Sequence, residues 1–276
     1  MIFWYMMTVR MPSRDYYYEN GAYPRKPGVV YDRRHTSFDK ISLEELPKEM
    51  FQSTRCFHTS GITLALSENI RRTAIEMIKR FKENGTLISF DVNFRGNLWT
   101  GPEAKACIEE ILPYVDIFFC SEETARLTFL KEGDAKRIMK SFTQEYPISV
   151  VASTQRIVHS PKKHTFGSVI YSAKEDCYYE EEPYRNIRVE TDERDAYVSG
   201  ALYGLLAYDF DCQKALEYGN AAGAVKNTIK EIFHPAVKRD GCNHSKSQAC
   251  RTGTGNGQIK NRTDILFIWR MPVLFL

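Results

Sequence analysis

The sequence has 276 residues, of which 43% are hydrophobic, and a formal net charge of +3. That length and apolar fraction suffice for one α/β domain with a sizeable core. The dispersed basic residues give no reason to invoke nucleic acid, no run of about 18 apolar residues offers a membrane span, and seven cysteines without a C-x-x-C pair suggest neither zinc nor a disulfide framework.

The chain opens on MIFWYMM, which has no basic stretch before it and no cleavage site after it, so it does not read as a signal peptide. From Arg14, two strands are expected at Tyr16–Tyr18 and Val29–Arg33, with Asn20-Gly21, Pro24 and Pro27 as turn signals between them. Such an aromatic hairpin is either ordinary sheet surface or a lid whose tyrosines and arginine face a polar ligand. Ser42 to Met50 reads as a short helix with a charged face. Arg55 to Ser60 is a strand leading into SGITLAL. Ser67 caps the next helix, where Ile70, Ala74, Met77, Ile78 and Phe81 keep the helical period, and Gly85 ends it.

Thr86 to Val92 is a strand followed by NFRGNLW. Gly101-Pro102 starts a helix with proline in its tolerated first position. Val115 to Cys120 is a strand, and Ser121 caps the helix after it. A helix over about Asp134–Gln144 and a strand over Ile148–Ser153 follow, then two short strands near Gly167–Ser172 and Cys177–Glu181. A last helix covers about Gln213–Ile229. Cys56, Cys107 and Cys120 lie in apolar contexts and read as reduced core thiols, which points to the cytoplasm. Residues 234–276 read as a disordered tail: Lys238 to Lys260 is rich in Gly, Ser, Asn and Lys. Its TGTGNG lacks the preceding strand and following Gly-Lys-Ser/Thr of a phosphate loop.

Strands that alternate with helices imply right-handed βαβ units and a mainly parallel sheet covered on both faces. Ligands of such sheets sit at the carboxyl ends of the strands. Chemistry is therefore expected in SGIT, DVNFR, CSEET and the turn before Asp195. In that last stretch, IRVETDERDAYVSGALYGLL, Val198, Leu202, Leu205 and Leu206 mark one face of a helix. Asp195 falls at or beside its first turn, where unpaired N–H groups favour anions. The plain alternative is an ordinary helix N-cap.

DAYVSGAL resembles the second signature of the ribokinase-like (PfkB) sugar kinases, in which a Gly-Ala-Gly-Asp turn opens a helix. With YYYENGA, VVYDR, FHTSGITLAL, SFDVNFRGNLW, VASTQR and VHS in the same order, residues Tyr16 to Ile232 are similar to the 2-keto-3-deoxygluconate kinase branch. The resemblance implies a three-layer α/β domain over residues 14–233, with a parallel sheet and a small β lid at about 14–34. It implies ATP-dependent phosphorylation of a sugar acid, 2-keto-3-deoxygluconate to its 6-phospho form, with Mg2+ bridging the ATP phosphates and no metal ligand carried over from the chain itself. Asp195 matches the general base. Tyr16, Tyr31, Arg33 and Ile62 match sugar-acid contacts, and Arg95 matches the group that grips the carboxylate. Thr154 and Arg156 fall on the nucleotide side, and the helix of Asn220 and Asn227 borders the adenine. Lid strands of the family pair subunits, so a homo-oligomer is implied, with neither nucleic acid nor membrane as partner.

The sequence departs from the family in three places. Asp192, Glu193 and Arg194 stand where the Gly-Ala-Gly should be. Ser121-Glu122-Glu123-Thr124 stands where Asn-x-x-Glu helps to organise magnesium. The family's opening strand has no counterpart before residue 14 and its ending none beyond about Ile232, as in a truncated gene product. These departures imply impaired activity. The alternatives are a non-catalytic sugar-acid or nucleotide-binding remnant, or a fructose-type or nucleoside kinase that has no need of Arg95.

Overall fold

The structure, a computed structural model, describes residues 16–19, 28–31, 37–160, 163–188, 194–228 and 266–267. Strands β1 (Tyr16–Glu19) and β2 (Gly28–Tyr31) form a two-stranded antiparallel sheet of their own, with Tyr16 opposite Tyr31. A 3-10 turn at Leu43–Glu45 precedes α1 (Lys48–Ser53). The single helix expected over Ser42–Met50 is thus two pieces. Pro47 lacks an N–H and pushes Leu46 into extended backbone, with φ −92 and ψ 136.

Next come β3 (Cys56–Ser60), α2 (Gly61–Leu64), α3 (Glu68–Glu83), β4 (Leu87–Asp91), α4 (Gly101–Ile111), β5 (Ile117–Phe119), α5 (Glu122–Phe129), α6 (Ala135–Glu145) and β6 (Val150–Ser160). Helical crossovers let β3, β4, β5 and β6 run parallel, as the βαβ pattern requires. The antiparallel strands β7 (Lys163–Ser172), β8 (Cys177–Glu180) and β9 (Tyr184–Arg188) extend this sheet beyond β6. Both β6 and β7 outrun their expected lengths. Their polar halves, Thr154–Ser160 and Lys163–Ser168, pair with each other in a hairpin. Helices α7 (Arg194–Ala207) and α8 (Cys212–Asn227) follow. From the region expected to be a disordered tail, β10 (Leu266–Phe267) pairs parallel with Phe57 and His58 of β3.

Local chemistry sets the helix ends. The hydroxyl of Ser67 accepts from the Ile70 N–H, Thr100 and Glu103 form a reciprocal capping box, and Gly85 leaves α3 at φ +75. Alternating strand residues feed two cores. Phe57, Ile88, Phe90, Phe118 and Val151 pack under α3 to α6, while Ile117, Phe119, Val150, Ala152 and Ile170 pack under α7 and α8. Three layers result. Each fully buried Phe, Ile or Leu adds about 1.5–3 kcal/mol of transfer free energy. Cys56 and Cys120 are buried and Cys107 is half-buried, all as free thiols, and burial pushes the Cys56 thiol up to about 12. No helix among the described residues is long and apolar enough to cross a membrane.

Candidate active site

A cleft opens at the carboxyl ends of β4, β5 and β6, below the first turn of α7. It is lined by Asp91, Asn93, Ser121, Thr124, Thr154 and Tyr197, with Val92, Phe119, Cys120, Ala152 and Val198 as apolar wall. Two of the segments in which chemistry was expected, DVNFR and CSEET, therefore meet there. The SGIT segment lies against them from the side.

The turn after β4 is held tightly. Asp91 Oδ1 accepts the Asn93 N–H at 3.1 Å, and buried Asn93 adopts φ +33, a left-handed backbone that asparagine tolerates better than most residues. A Cβ on Gly61 would come within 2.1 Å of the Val92 carbonyl oxygen, so only glycine lets α2 lie this close to the turn. Across the cleft, the Ser121 hydroxyl accepts from the Thr124 N–H at 3.2 Å and donates to Thr124 Oγ1 at 2.9 Å. From above, Tyr197 packs edge-on against Phe119 and Phe166, with centroids 6.2 and 5.9 Å away. Burial raises its hydroxyl well above the usual tyrosine range.

Asp195 is the second residue of α7, half-buried, and its carbonyl accepts the Ser199 hydroxyl at 2.9 Å. Only Ala196 separates it from Tyr197 in the cleft wall. Thr154 lines the cleft, and Ile62 is buried in α2. Arg95 is half-buried in the loop after β4, outside the cleft lining. Its guanidinium makes no hydrogen bond or ion pair among the described residues. Arg156 is exposed on the hairpin extension of β6.

Asn220 and Asn227 lie inside the fold. Asn220 accepts from Ser168 at 2.7 Å and donates to Glu181 at 2.9 Å, while Asn227 donates to the Gly223 carbonyl at 3.1 Å. Glu122 pairs with Arg126 at 2.7 Å on the surface of α5, as a solvated helix glutamate does. Arg33, Asp192 and Glu193 lie outside the described residues, as do the side chains of Tyr16 and Tyr31. Asn93, Thr124 and Tyr197 fall within the segments DVNFRGNLW, SEET and DAYVSGAL, but the sequence singled out none of them as a binding residue. Among the described residues no three His, Cys, Asp or Glu side chains gather as a metal-binding group.

A parallel sheet with a polar cleft at its carboxyl ends, closed from above by a helix start, is an architecture suited to binding phosphorylated ligands. A solved PfkB family carbohydrate kinase from Listeria grayi is 30% identical, with a TM-score of 0.70, over 78% of this chain and 67% of its own. The 2-dehydro-3-deoxygluconokinase of Thermotoga maritima gives 0.73 at 27% identity, over 79% of this chain and 68% of that one. A 2-dehydro-3-deoxygalactonokinase from Haloferax volcanii is 31% identical over 214 residues, 78% of this chain and 64% of the relative. The chain thus spans just under two thirds of that curated relative's length. No family model matches it. The chain belongs to the PfkB, ribokinase-like family of carbohydrate kinases.

Proposed function

We propose that this chain is an ATP- and Mg2+-dependent kinase that phosphorylates a sugar acid, 2-keto-3-deoxygluconate, on its 6-hydroxyl. The observation that carries the reading is the convergence of Asp91, Ser121, Thr124 and Thr154 with the first turn of α7 in one strand-end cleft. Relatives named for sugar-acid substrates, and Arg95 four residues after Asp91, support a sugar bearing a carboxylate as the substrate. A guanidinium matches a carboxylate with paired, planar donors.

On this reading Asp195 accepts the proton that the sugar hydroxyl loses as its oxygen attacks the γ-phosphorus of ATP, and ADP leaves with the bridging oxygen. N–H groups at the start of α7 hold the phosphoryl oxygens. Thr154 and Arg156 flank the nucleotide, and α8, the helix of Asn220 and Asn227, borders the adenine. Tyr16, Tyr31, Arg33 and Ile62 enclose the sugar acid, and the lid strands pair subunits. Magnesium supplies charge neutralisation on the phosphates. Such an ion would take most of its ligands from phosphate and water and needs no cage of protein side chains.

Asp192 and Glu193 bring negative side chains to a turn that meets a negative phosphoryl group. Loss of one such donor costs about 2.7–4 kcal/mol in other sites, so turnover is expected below the about 1–100 per second of working kinases. The same replacement favours a second reading, a fold that binds sugar acid or nucleotide without turnover. ATP-dependent phosphorylation of 2-keto-3-deoxygluconate, with fructose as comparator, tests both. Slow turnover selective for the sugar acid supports the first reading. Binding without turnover supports the second, and equal turnover of fructose overturns the assignment of a sugar acid.

A further inference from the structure

Ser60 ends β3 with a hydroxyl that nothing among the described residues uses. It holds the N-cap position of α2 in extended backbone, yet its side chain makes no capping hydrogen bond. Ser67, Thr100, Ser121, Asp134 and Asp211, at the same position of other helices, all accept a first-turn N–H. Ser60 is 0% exposed and its Oγ has no hydrogen-bond partner among the described residues. A buried polar group left unsatisfied costs stability and calls for a reason.

Its place in the sheet supplies one. The parallel ladders pair Ser60 with Asp91, Asp91 with Phe119, and Phe119 with Ala152. Partners at one level of a sheet point to the same face. Asp91, Phe119 and Ala152 all line the cleft, so Ser60 is the fourth member of that row, at the end remote from Thr154. The Thr59 hydroxyl is also without a partner among the described residues, but it shares a level with Phe90 and Phe118, in the core on the opposite face.

We propose that Ser60 is a ligand-binding residue whose hydroxyl, together with the Asp91 carboxylate, brackets a hydroxyl group of a polyhydroxy substrate. Asp91 accepts the substrate's hydroxyl proton while Ser60 donates to the same oxygen. The ligand group is a neutral hydroxyl, because a second carboxylate beside Asp91 would be repelled. This inference rests on the sugar-kinase reading and deepens it.

The test compares the unmodified chain with Ser60→Ala and Thr59→Val, by calorimetric titration with 2-keto-3-deoxygluconate and with ATP, and by thermal unfolding without ligand. For Ser60→Ala, affinity for the sugar acid is expected to fall about tenfold, with ATP affinity within about twofold and an unchanged or raised unfolding temperature. Thr59→Val leaves both affinities as they were. If the unmodified chain binds the sugar acid and Ser60→Ala binds it equally well, or if Ser60→Ala lowers the unfolding temperature of the unliganded chain, the inference is overturned while the kinase reading stands. If the unmodified chain does not bind the sugar acid, the sugar-acid reading fails and the role of Ser60 falls with it.

Discussion

Asp195 and Arg95 make opposite demands on a binding experiment. As the proposed proton acceptor, Asp195 contributes to the reaction rather than to nucleotide affinity. Asp195→Asn is therefore expected to remove nearly all turnover and leave ATP affinity about unchanged, and retained turnover would place the base elsewhere. Arg95 is half-buried, and its guanidinium has no partner among the described residues, so Arg95→Ala leaves no carboxylate of the described fold stranded. Titration calorimetry should show sugar-acid affinity weakened by about 1.5–3 kcal/mol, the value of a charge-assisted pair, with ATP binding unaffected. An equal loss for a neutral hexose contradicts the assignment. Both residues stood out in the sequence because short motifs contain them, and the structure sets Asp195 beside the cleft and Arg95 outside its lining. Asn93 and Tyr197 did not stand out, because a positive φ and an edge-on ring contact depend on neighbours distant in the chain.

The start of α7 is set by the way it packs on α8. A Cβ on Gly219 would sit 2.8 Å from Tyr197 Cε2 and 3.2 Å from the Ala201 Cβ, so α8 can approach α7 there only without a side chain. Tyr197 is held on its other sides by Phe119 and Phe166 and has little room to yield. Gly219→Ala is expected to cost about 1–3 kcal/mol of stability by overpacking and to displace the wall of the cleft. Urea unfolding together with ATP affinity checks this, and wild-type values for both would show that the helices can slide apart freely. At this scale the sequence was legible wherever periodicity was strong, as in α3 and in the buried runs of β3, β4 and β5. It was less so at β6 and β7. Their distal halves pair through the backbone, with exposed polar residues and exposed Ile157 and Val158 on β6, so alternation gave no sign of where the strands end. Within Ser42–Met50, one proline outweighed a helical charge pattern.

Across the whole molecule, every residue of β3 is buried, including a titratable side chain the proposed reaction does not use. His58 is 1% exposed, its Nδ1 lies 2.8 Å from the Ser89 hydroxyl, and its ring stands edge-on to Phe119 at 6.3 Å. Burial holds the imidazole neutral, with its pKa lowered to about 3. In the unfolded chain the same group titrates near 6.5. Between those values the unfolded chain binds a proton that the folded one refuses, so stability is intact above about pH 6.5 and falls as the pH is lowered through the window. The slope from this one group is at most about 1.4 kcal/mol per pH unit. His164, lowered by burial and by nearby Arg156, adds a loss of the same sign. Replacing His58 alone would strand the Ser89 hydroxyl, so the informative variant is His58→Phe with Ser89→Ala. Urea unfolding between pH 7 and about pH 5, above most carboxylate titration, should show a flatter decline for the double variant than for the unmodified chain. An identical pH slope in both would mean that His58 is protonated in the folded protein, and that the core around β3 admits charge.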